Sequence, residues 1–178
     1  LKINLINELS TLEKLIFDAT RIELDNINED KECREYFGFN FQLKSQPIKF
    51  RKAKKTPKKV GQFVTLWKRN LTGQTIPFDI EDDFDFYIIM TSDAHLTGIF
   101  IFPKAVLATM GILSSCHGAG KRGFRLYPAW DIPVSSQALK TQKWQNEYFI
   151  DITKERLLTK GEAEMLSAGY WKPKDCRK

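Results

Sequence analysis

Residues 84–104 read FDFYIIMTSDAHLTGIFIFPK: two apolar, β-rich runs, FDFYIIM (84–90) and GIFIFPK (98–104), on either side of the polar loop TSDAHLTG. FYIIM and IFIF hardly alternate between apolar and polar residues, which is the pattern of strands covered on both faces. They are therefore expected at the centre of a sheet, with other elements packed above and below.

Working outward, GQFVTLWKR (61–69) reads as a third strand, AVLATMGIL after Lys104 as a short helix, and GFRLYP as a further strand. SSQALKTQKWQNEYF is a helix with Ser135 or Ser136 near its cap, and TKERLLTKGEAEMLSAG a final helix ending at Gly169. At the other end, Leu5, Leu9, Leu12, Ile16 and Ala19 recur at helical spacing, and Ser10 with Glu13 supplies a capping box if that helix starts late. The expected fold is α/β (α+β): one domain over residues 1–178, with a central mixed β-sheet flanked by helices. A chain of 178 residues suits one core, and 42% hydrophobic residues are ample to form it.

The net charge of +6 is unevenly distributed. Residues 1–35 carry five bases and nine acids, Tyr36 to Phe78 carry ten bases and no acid, and five carboxylates then crowd between Asp79 and Asp85. Clustered cations release counterions from polyphosphate chains, with log affinity falling by roughly 0.9 per log unit of salt for each phosphate neutralised on duplex DNA. Arg51, Lys52, Lys54, Lys55, Lys58, Lys59, Lys68 and Arg69 are the candidate phosphate contacts, the cations of Lys52 to Lys59 being assigned to a loop. Lys121, Arg122 and Arg125 in HGAGKRGFR form a second set. That Gly-rich turn is not a Walker loop, because Ser115 and Arg122 stand where a Gly and a Ser or Thr are needed. No helix-turn-helix or zinc-finger pattern reads bases, so the partner is nucleic acid bound without regard to sequence. The acidic first helix is placed to fold over the basic surface.

A nuclease is the alternative. A carboxylate at the start of one strand and a carboxylate-x-Lys pair on its neighbour hold Mg²⁺ and orient a water. Asp83 or Asp85 and Lys104 have that spacing, but the position two before Lys104 is Phe102. No cofactor is otherwise called for, and His95 and His117 lack metal-ligand spacing. Trp67, Tyr127, Trp130 and Trp144 are candidates for an apolar ligand pocket. Cys33, Cys116 and Cys176 are three, widely spaced and without a C-x-x-C pair, the usage of a reducing cytoplasm. No run is long and apolar enough for membrane insertion, and no signal peptide can be drawn.

The run FRKAKKTPKKVGQFVTLWKR (50–69), with IPFD, DDFDFYII, GIFIFPK, GKRGFRLYPAWD and ALKTQKWQNEYF, resembles the MepB-like family over roughly residues 40–150. The resemblance implies a fold of the restriction-endonuclease-like and tRNA-endonuclease-like group, in which Asp83 or Asp85 and Lys104 match the metal-site positions and Phe102 departs. The setting of one founding member of that family, in an operon with a multidrug efflux pump and its repressor, implies a third reading, a small-molecule sensor or efflux accessory.

Overall fold

A computed structural model describes residues 2–154 and 158–170, with side chains from Glu8 onward except that of Ser167. The chain opens with α1 (Lys2–Thr20), then β1 (Leu24–Glu29), a 3-10 segment over Lys31–Tyr36, β2 (Phe39–Leu43) and β3 (Gln46–Lys52). There follow β4 (Lys54–Thr56), β5 (Lys59–Thr65), β6 (Trp67–Arg69), β7 (Thr75–Pro77), β8 (Phe86–Asp93) and β9 (Leu96–Pro103). The rest is α2 (Lys104–Thr109), β10 (Gly123–Leu126), α3 (Ser136–Gln145), β11 (Phe149–Asp151) and α4 (Lys160–Ser167).

Six strands form the central sheet in the order β1-β2-β3-β8-β9-β11. The β3–β8 pair is parallel and the other neighbours are antiparallel, so the sheet is mixed. The runs that hardly alternate are the central β8 and β9, as expected of strands covered on both faces. On one face lie Ile48, Phe50, Ile88 and Ile101, with Leu12 and Ile16 of α1 and Leu166 of α4 in the same buried core. Lys52, on that face of β3, reaches Glu8 of α1 at 2.6 Å.

The opposite face carries Lys49 and Arg51 of β3, Tyr87 of β8 and Phe102 of β9, which register pairing places side by side. A second sheet, β10-β5-β4, covers it together with α3. Tyr87 donates a hydrogen bond to the Thr65 carbonyl at 2.7 Å, and the Phe124 ring stands edge-on to both Tyr87 and Phe102.

Three expectations are corrected. GQFVTLWKR is two strands, because the chain leaves the second sheet at Leu66, whose N–H donates to the Arg122 carbonyl, and Trp67 to Arg69 then pair with β7 in a separate hairpin. Lys54 to Lys59 form the β4–β5 hairpin rather than a loop. The capping box belongs to α4, where Thr159 and Glu162 bond reciprocally, since α1 already runs from Lys2 and Ser10 lies inside it. Ser135 caps α3 by accepting from the Ala138 N–H, as expected. Leu5's side chain, residues 155–157 and Cys176 lie outside what is described.

Candidate nucleic-acid interface

The basic stretch does not present one cationic surface. Arg51 is 0% exposed in β3. Its Nη2 donates to Asp30 Oδ2 at 2.6 Å, and Gly38 leaves the room for it: a Cβ there would stand 2.3 Å from Nη1. Arg51 is therefore a core ion-pair residue and not a phosphate contact. Lys52 pairs with Glu8, Lys54 with Glu35, Lys55 with Asp93, Lys68 with Asp82 and Arg69 with Glu32. Four of these six carboxylates come from residues 8–35, so the acidic opening of the chain neutralises the basic run. The helix α1 contributes Glu8; Asp30, Glu32 and Glu35 come from the 3-10 segment and the residue that caps it.

Lys58, Lys59 and Lys121 have a different setting. Lys58 and Lys59 sit at the tip of the β4–β5 hairpin, which faces α3 across a groove lined by Val60, Arg125, Tyr127, Val134 and Ala138, with a volume of about 310 Å³. Adjoining it at Arg125 and Tyr127 is a chamber of about 440 Å³, lined by Met110, Lys121, Phe124, Lys140 and Trp144 among others. The two share Arg125 and Tyr127, so they lie next to each other along this wall. Among the described residues that line them are five cations and no Asp or Glu. Lys58, Lys59, Lys121 and Lys140 have no ion-pair partner among the described residues.

The walls are built by specific contacts. β10 pairs with β5 on one edge, and Gln145 of α3, 0% exposed, serves the other. Its Oε1 accepts from the Tyr127 N–H at 2.9 Å and its Nε2 donates to the Arg125 carbonyl at 2.9 Å, as a neighbouring strand would. That clamp fixes α3 against β10. Arg125 Nη1 donates to Thr56 Oγ1 and to the carbonyls of Val60 and Gly61, tying the hairpin to the same strand. Gly61, at φ +86°, is needed there, since a Cβ would lie 2.8 Å from the Tyr127 ring and 2.6 Å from the Leu126 carbonyl oxygen. Trp144 packs on Phe102 with centroids 5.4 Å apart.

Of the aromatic candidates, Tyr127 and Trp144 meet in this cleft and the other two do not. Trp130 stands edge-on to Phe149 at 5.2 Å as a packing residue, and Trp67 lies on the β6–β7 hairpin beneath the Arg69 guanidinium. Arg122 turns away to donate to Thr75. The cleft residues not anticipated from the sequence include Met110, Phe124, Lys140 and Gln145, and Val60, Val134 and Ala138. Gln137, Lys140, Thr141 and Trp144 recur at helical spacing, and that periodicity was the available signal for Lys140.

The acidic knot is folded on itself. The Asp82 carboxylate accepts from the Asp79 N–H at 2.6 Å and pairs with Lys68, while its carbonyl accepts from Lys104 Nζ at 2.8 Å. The Asp85 carbonyl accepts from the Lys104 N–H, so strand register does bring these two positions together, with Asp83 exposed beside them. Phe102, 0% exposed, is stacked among Phe100, Trp144 and Tyr148. These residues do not fit Mg²⁺, which demands oxygen ligands in near-octahedral array. The carboxylate position is a core ring, the lysine is bound to a carbonyl, and among the described residues no three His, Cys, Asp or Glu side chains converge.

A small mixed α+β protein with a cationic, aromatic cleft between its second sheet and a helix is the class that this architecture defines. The chain belongs to the MepB-like family, whose model matches residues 30–151, from the Asp30 partner of Arg51 through β11 and including the whole cleft. The crystal structure of MepB is similar, with 36% sequence identity, 82% of this chain and 97% of that chain covered, and a TM-score of 0.74. Comparison with the curated proteins finds no match.

Proposed function

We propose that this protein binds nucleic acid without cutting it, in a sequence-independent manner, through the cleft between the β4–β5 hairpin, β10 and α3. The observation that carries this reading is the sorting of the cations. Arg51, Lys52, Lys54, Lys55, Lys68 and Arg69 are paired with carboxylates, while Lys58, Lys59, Lys121 and Lys140 line an aromatic cleft that has no acid among the described residues lining it. Such a lining attracts phosphates and offers rings against which bases pack. It also repels cationic drugs, which counts against the sensor reading.

The scaffold we read as restriction-endonuclease-like, with the metal-binding carboxylate replaced by the core ring of Phe102. Cys33 and Cys116 are free thiols, in keeping with a cytoplasmic location. Among the described residues no helix is long and apolar enough to cross a membrane.

Fluorescence anisotropy with a labelled oligonucleotide tests the reading. Affinity is expected to fall steeply as salt rises, with plasmid and oligonucleotide left intact in Mg²⁺ or Mn²⁺. Absence of binding at low ionic strength overturns the binding reading, and cleavage lost in Lys104→Ala but retained in Lys58→Ala overturns the non-cutting part.

A further inference from the structure

Lysines alone would suit any polyanion, but the cleft also has an apolar lining. Phe124, Met110 and Trp144 line its larger chamber, and Val60, Val134 and Ala138 its smaller one. Several of these side chains remain open to solvent: Val134 is 89% exposed, Val60 45% and Met110 40%. An apolar surface in a cationic rim matches a ligand that is apolar on its faces and anionic along its edge. A nucleotide strand has this character only when its bases are unpaired, because in a duplex the base faces are covered by their neighbours and only phosphates, sugars and groove edges remain outside.

We infer that the cleft accepts an unpaired strand in preference to a duplex, with consecutive bases seated in its two chambers against Trp144 and Tyr127 and their phosphates held by the lysines at the rim. This inference rests on the proposed function and specifies its substrate. The chambers, about 440 and 310 Å³, lie at the lower end of the roughly 300–1,000 Å³ typical of small-molecule sites, a size suited to one nucleotide each. They meet at Arg125 and Tyr127, so a strand passing from one to the other crosses a guanidinium where its bridging phosphate would lie. Arg125 keeps Nη2 and Nε available there, since its structural hydrogen bonds are made through Nη1. Both rings are held before any ligand arrives: Trp144 by Phe102, and Tyr127 by close approach to Gly61, on a main chain that Gln145 pins at the Tyr127 N–H. Preorganised rings lose little freedom on stacking.

The test uses the full chain and three labelled probes of equal length, about ten nucleotides: an oligothymidylate, an abasic strand with the same phosphates, and a duplex. Each seated base is expected to contribute ~5- to ~150-fold in affinity. The thymidylate should therefore bind at least ~10-fold more tightly than the abasic strand, and more tightly than the duplex at equal salt. Trp144→Leu should reduce the thymidylate-to-abasic ratio. Because Trp144 also touches the core, the wild-type comparison of probes stands independently of that variant. Equal, salt-dependent binding of all three probes overturns the inference and leaves the nucleic-acid reading intact. Binding of none overturns both.

Discussion

Removing the two lysines at the hairpin tip should change the salt dependence of binding by an amount the structure allows to be worked out. Lys58, Lys59, Lys121 and Lys140 are the unpaired ammonium groups of the cleft. On a single strand each phosphate neutralised contributes about −0.7 to the slope of log affinity against log salt, so these four with Arg125 give a slope of about −3.5. Affinity should then fall roughly 130-fold between about 50 and about 200 mM salt. In Lys58→Ala/Lys59→Ala the slope should drop to about −2.1 and the loss over the same interval to roughly 18-fold. Lys54→Ala/Lys55→Ala is the matched control. These residues are close in sequence and equal in charge, but they pair with Glu35 and Asp93 and do not line the cleft. Their removal should leave the slope unchanged within about 0.3. Anisotropy titrations at four or more salt concentrations, with circular dichroism to confirm folding, supply both slopes. Equal slope changes in the two double variants would refute the sorting of cations into structural and ligand-facing sets.

Other consequences concern the scaffold. Gln145→Ala removes the partners of the Tyr127 N–H and the Arg125 carbonyl, and unsatisfied buried groups cost about 1–3 kcal/mol each, so urea denaturation should register a loss of roughly 2–6 kcal/mol with weakened binding. Arg51→Met breaks a buried pair and should cost about 3–5 kcal/mol, whereas Lys54→Ala, at an exposed pair, should cost under ~1 kcal/mol in the same assay. Burial, followed by the nearby Arg51 charge, lowers the pKa of Lys49 below its ordinary 10.5. The unfolded chain therefore holds this proton to higher pH than the folded one does, and the Lys49 contribution to stability should rise as pH increases through its folded pKa towards 10.5. Denaturation midpoints from neutral to alkaline pH should show this rise relative to Lys49→Met; a parallel profile would refute it.

What the sequence disclosed was governed by local pattern. α1, β8, β9, β10 and α3 follow from apolar periodicity and from a serine at the start of α3, signals contained within each segment. β1, β2 and β3 were not legible in the same way. QPIKFRK reads as a charged run because arginine is normally exposed, and its burial at Arg51 depends on Asp30, 21 residues earlier in the chain. The same long-range pairing made the basic run misleading as a site. Four of its cations are matched by acids from α1, the 3-10 segment and its cap, which one-dimensional charge counting places in a separate block. The cleft was half visible, since Lys58, Lys59, Lys121, Arg125, Tyr127 and Trp144 were marked individually, but their convergence requires the β5–β10 pairing and the Gln145 clamp. Phe102 was noticed as a missing carboxylate; the ring cluster it joins explains why that position is apolar.

The location of the strand is the most direct test. The full chain is irradiated with an oligonucleotide carrying a photoreactive pyrimidine, and the cross-linked peptides are mapped by mass spectrometry. Adducts should fall on Tyr127 and Trp144, competed away by unlabelled single strand and diminished by Lys58→Ala/Lys59→Ala. Adducts confined to Trp67 or to residues 50–56, with the cleft aromatics unmodified, would contradict the assignment of the cleft as the nucleic-acid interface.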